Sequence, residues 1–77
     1  MIDPINEEIL VKVHEGLSIR QIADLPGMPT RNAVHERLQE MERSLGLVKA
    51  PGVNNKRWTV DYAGKILLEA HGYIDMA

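Results

Sequence analysis

Seventy-seven residues with a formal net charge of −2, 44% hydrophobic and free of cysteine, make at most one small domain, with no disulfide framework and no thiolate metal site. Phe is absent and only Trp58, Tyr62 and Tyr73 are aromatic, so the core must be aliphatic, built mainly from Ile, Leu, Val and Met. Residues 1–8 are acidic and unlike a signal peptide, and no apolar run approaches the roughly 20 residues that cross a bilayer, so the expectation is a cytoplasmic protein with no membrane partner.

Asp3-Pro4 reads as a helix start, a carboxylate cap followed by proline at the first helical position. Ile5, Ile9 and Val13 recur at helical spacing and Gly16 closes the segment, which gives a first helix over residues 4–15. Leu10 and Val11 widen its apolar stripe enough to serve a subunit interface as well as a core. Ser18-Ile19-Arg20-Gln21 has the capping-box pattern and opens a short second helix, with Ile19, Ile22 and Ala23 on one face. Pro26-Gly27 stops that helix, and Pro29 holds Met28 extended. Thr30 caps a third helix over residues 31–44, on which Val34, Leu38, Met41 and Leu45 form a narrow stripe, and Gly46 ends it. Residues 47–50 and 57–60 read as two short strands around the turn-rich residues 51–56. Thr59 or Asp61 caps a fourth helix, with Ala63, Ile66, Leu67 and Ala70 facing inward and Gly72 at its end. The fold class is mainly α with a small β-hairpin, in one domain over residues 1–77.

Charge is unevenly placed along the chain. From Ser18 to Arg57 seven basic residues stand against four acidic ones, whereas the remainder holds Lys12 and Lys65 against seven acids. Such polarity suits a polyanion, with chance clustering on a solvated surface as the plain alternative. On the third helix Asn32, Glu36, Gln39 and Arg43 lie opposite the apolar stripe, with Arg31 and His35 flanking them near its start. Asn and Gln can pair bidentately with adenine, Arg with guanine, and Glu can accept from cytosine, so this face can read base edges. It can equally be a solvated face on which Glu36 and Glu40 pair with basic neighbours. Lys49, Lys56 and Arg57 sit in or beside the hairpin with no acid between positions 43 and 60, placed either for phosphates or to blunt an edge strand. Trp58 is expected as a core anchor covering the third helix. His14, His35 and His71 lie far apart without metal-ligand spacing, and no nucleophile elbow or phosphate loop appears. A cofactor, a metal or an enzymatic activity is therefore not expected.

Residues 17–23 (Leu-Ser-Ile-Arg-Gln-Ile-Ala) followed by residues 30–38 (Thr-Arg-Asn-Ala-Val-His-Glu-Arg-Leu) resemble the helix-turn-helix of bacterial and phage regulators. Leu45-Gly46-Leu47-Val48, a turn, and residues 57–68 are similar to the wing and following helix of winged-helix regulators. The resemblance, over residues 17–70, implies a winged helix-turn-helix: a three-helix bundle, a two-stranded wing and a C-terminal helix. It implies sequence-specific binding of double-stranded DNA by a small transcriptional regulator that forms a homodimer. The DNA-binding residues are then Ser18, Arg20, Thr30, Arg31, Asn32, His35, Glu36, Gln39, Arg43, Lys56 and Arg57. Residues 25–30 (Leu-Pro-Gly-Met-Pro-Thr) also resemble the turn of phage small terminase subunits, which recognise DNA for packaging. The other open reading is a protein–protein interaction module, which the overall acidity and the glutamates of the third helix favour.

Overall fold

Asp3 starts the first helix, α1 (Pro4–His14), by accepting the Ile5 N–H at 2.7 Å through Oδ1, and Pro4 occupies the position whose N–H a helix leaves unpaired. The computed structural model describes residues 2–75, which form four helices and a two-stranded antiparallel sheet. On α1, Ile9, Leu10 and Val13 are buried and Val11 packs partly against the same cluster, leaving Ile5 36% exposed. The wide stripe expected to serve an interface is thus mostly taken up by the core.

The second helix, α2 (Ile19–Ala23), carries the full capping box: Ser18 Oγ accepts the Gln21 N–H at 3.2 Å and Gln21 Oε1 accepts the Ser18 N–H at 2.8 Å. After a turn closed by the Met28 N–H on the Leu25 carbonyl, Thr30 Oγ1 accepts the Ala33 N–H and starts α3 (Arg31–Glu40). α2 packs chiefly on α3. Half-buried Arg37 donates to Asn6 Oδ1 at 2.9 Å and lies 3.6 Å from Asp3 Oδ1, which ties α3 to the first turn of α1.

The third helix departs from the expected residues 31–44. After Glu40 the chain widens into a π turn over Met41–Leu45, which Gly46 ends at φ +64°. A π turn advances each residue by less rotation than an α-helix does. Met41, where the π turn begins, is fully buried, whereas Leu45, expected to continue the stripe, is 55% exposed. The left-handed conformation at Gly46 then turns Leu47 and Val48 into the core.

The strands are shorter than the four residues each that the sequence suggests. β1 (Val48–Lys49) pairs antiparallel with β2 (Thr59–Val60) in the register Val48 with Val60 and Lys49 with Thr59. The next hydrogen-bonded pair would be Pro51 with Arg57, but proline has no N–H to give and the Arg57 N–H is taken by Asn55 Oδ1 at 3.1 Å. The intervening loop closes on itself through the Gly52 N–H and the Asn55 carbonyl, 2.7 Å apart.

Asp61, rather than Thr59, caps α4 (Tyr62–Ala70). Its inward face also differs from expectation. Gly64 and Leu68 are buried and Leu67 half-buried, whereas Ala63, Ile66 and Ala70 are exposed. The reason is Gly64. A Cβ there would overlap the Leu47 carbonyl oxygen and approach Val60 Cγ1 to 2.7 Å, so the helix leans on the hairpin along its glycine edge. Beyond α4 the chain returns to α1, where Glu7 Oε1 lies 2.9 Å from His71 Nδ1. That hydrogen bond, reinforced by the Tyr73 hydroxyl, holds the Glu7 carboxyl below the usual carboxylate range, against the opposing effect of burial. Among the described residues no helix is long and apolar enough to cross a membrane.

Candidate nucleic-acid interface

The inward stripe of α3 fixes what its other side can do. With Val34 and Leu38 fully buried, Arg31, Asn32, His35, Glu36 and Gln39 all fall on the exposed side. The Thr30 cap holds the first turn, so Arg31 and Asn32 project from a fixed backbone. Among the described residues, no hydrogen bond or ion pair engages the side chains of Arg31, Asn32, Glu36 or Gln39. Glu36 is therefore not neutralised by a basic neighbour, although a solvated face would allow that pairing.

Arg43 sits apart from this group. It lies in the π turn and forms an ion pair with Glu40. The Ser44 hydroxyl, donating to Glu40 at 2.7 Å, and then Arg43 hold the Glu40 carboxyl below its ordinary value. An arginine whose charge is already matched has less to offer a phosphate.

Trp58 links α3 to the hairpin. It is half-buried rather than a fully enclosed anchor, and its ring meets the His35 ring edge-on, with centroids 5.9 Å apart and planes at 75°. The exposed face of α3 and the basic hairpin are therefore neighbours. Arg57 turns the other way, toward the turn between α1 and α2, where its Nη1 donates to the Gly16 carbonyl at 2.8 Å. Arg20, Lys56 and Arg57 meet on the rim of a cleft of about 320 Å³ between α2 and the hairpin loop, which Ser18 also lines. The Ser18 hydroxyl is already engaged in its cap. Lys49 is exposed at the end of β1.

Sequence spacing does not foreshadow these cross-chain contacts. The Glu42 carboxylate on the Ala50 N–H, the Arg37 bond to Asn6 and the His35–Trp58 contact join residues whose separation follows no helix or strand period. Among the described residues no group of three or more His, Asp or Glu is placed to hold a metal ion. No family model, curated protein or solved structure matches the chain.

Proposed function

We propose that the chain binds double-stranded DNA as a small winged helix-turn-helix regulator, with α3 in the major groove and the hairpin as its wing. The carrying observation is the His35–Trp58 contact, which sets the basic hairpin beside the unpaired polar face of α3. Arg31, Asn32, His35, Glu36 and Gln39 read base edges, whereas Arg20, Lys56 and Lys49 meet phosphates. Arg57 and Ser18 brace the α2–hairpin junction, and Thr30 orients the reading turn. Recognition of a packaging site in phage DNA, as the small-terminase resemblance suggests, would use the same chemistry. A two-fold dimer belongs to this reading because one module spans few base pairs.

The test is fluorescence anisotropy with labelled duplexes drawn from the neighbourhood of the protein's own gene, at low and at physiological salt. Binding that falls steeply as salt rises, with preference for one duplex, supports the reading. No affinity for any duplex at low salt removes it. Protein docking then takes its place, a reading favoured by exposed Leu45, which shares a shallow apolar depression with Ile2, Leu47 and Leu67.

A further inference from the structure

The cleft between α2 and the hairpin loop combines two chemistries that DNA binding does not need together. Its floor is hydrocarbon and indole, from half-buried Leu17, Ile19 and Trp58 over the buried Val13, Ile22 and Leu38. Its rim carries Arg20, Lys56 and Arg57, and no acidic residue lines it. An inorganic anion or a backbone phosphate gains nothing from such a floor, which removes water without replacing its hydrogen bonds. A plain hydrocarbon gains nothing from three cations. One molecule with an apolar body and a single anionic end satisfies both.

We propose that this cleft binds a free small-molecule monocarboxylate with an aliphatic or aromatic body. Size narrows the class. A cavity of ~150 Å³ admits benzene, so a cleft of about 320 Å³ has room for a body of roughly eight to ten carbons. The bond from Arg57 Nη1 to the Gly16 carbonyl holds that guanidinium in place and leaves its other N–H groups to meet a carboxylate. Arg20 and Lys56 are exposed, and among the described residues neither has a competing ion pair. The site belongs to the protein free of DNA, because Arg20 and Lys56 are also phosphate contacts in the proposed function.

Trp58 is the sole tryptophan and lies in the floor, so its emission reports occupancy. The experiment titrates the full chain with sodium octanoate and follows Trp58 fluorescence and calorimetric heat. The expected result is saturable one-to-one binding with a Kd of about 1 mM or below. Octylammonium, which has the same chain with the opposite charge, should bind at least about tenfold more weakly, and acetate should not saturate. The double variant Arg20→Gln with Lys56→Gln should lose about tenfold in octanoate affinity with its melting temperature unchanged. Equal binding of octylammonium, or more than one octanoate per chain, would mark general adsorption and overturn the proposal. Equal binding of acetate would mark a plain anion site and overturn it too. No saturation with octanoate removes the site and leaves the cleft to another occupant, such as an acidic amphipathic helix.

Discussion

Thr30 and Asn32 stand two residues apart at the start of α3, yet their side chains act on different things. The Thr30 hydroxyl closes the first turn on the Ala33 N–H, so Thr30→Ala should cost about 1 kcal/mol. In a domain of this size that lowers the melting temperature by roughly 4–8 °C. Asn32 is exposed and holds nothing in place, so Asn32→Ala should leave melting unchanged. On the proposed function it should weaken specific DNA binding by roughly 1–3 kcal/mol and relax preference at one base pair, with non-specific binding intact. Melting curves beside anisotropy separate the two, and an Asn32→Ala protein with full preference would take α3 out of the reading role. Gly64 poses a purely steric question. Any Cβ there meets the Leu47 carbonyl, which belongs to the backbone that seats the hairpin and cannot yield like a flexible side chain. Gly64→Ala should cost about 3 kcal/mol, the upper end for overpacking, read as a lower urea midpoint. A midpoint within error of wild type would mean that the helix can slide off the strand.

Among the elements, α1 and the segment after α4 are joined through a titrating group. Because its hydrogen bond to His71 depresses the Glu7 carboxyl in the folded state, that bond stabilises the protein above the ordinary carboxylate value of 4.5. The contribution is lost as pH falls through the lower folded value. Glu7→Gln should therefore melt below wild type at neutral pH, and the gap should close as pH drops below 4.5. A gap that persists under acid would assign the effect to packing. The caps and breaks of these elements were legible in the sequence because each depends on neighbours within four residues: Asp3, Ser18 and Thr30 all cap where their spacing indicates. The rotation of α4 and the exposure of Leu45 were not. Both depend on contacts or widths that a strict α-helical period does not contain, a glycine leaning on a strand in one case and a π turn in the other. The exposed polar face of α3 was legible because Val34 and Leu38 fix its opposite side. The cleft was not, since residues from α1, α2, α3 and the hairpin loop meet there only after folding.

For the molecule as a whole, charge is distributed along the fold as it is along the chain. The acids Asp3, Glu7, Glu8 and Glu15 lie on or beside α1, whereas Arg20, Arg31, Lys49, Lys56 and Arg57 belong to α2, α3 and the hairpin. If the basic part meets DNA, log affinity should fall linearly with log salt, and Lys56→Ala should lower that slope by about one for every duplex tested. A slope unaltered by the substitution would take the hairpin loop out of the contact.

The Glu7–His71 contact has a consequence for connectivity. It brings residues near the two ends of the described chain together, and Ile2 and Ile74 both pack against the common core. The order in which the elements are strung is then not essential to the architecture. A circular permutant, with residues 2 and 75 joined by a short flexible linker and the chain cut between Val53 and Asn54, opens at an almost fully exposed loop tip. It should fold with a melting temperature within about 8 °C of the parent, and this topology would then tolerate insertion into a host loop as readily as end-to-end fusion.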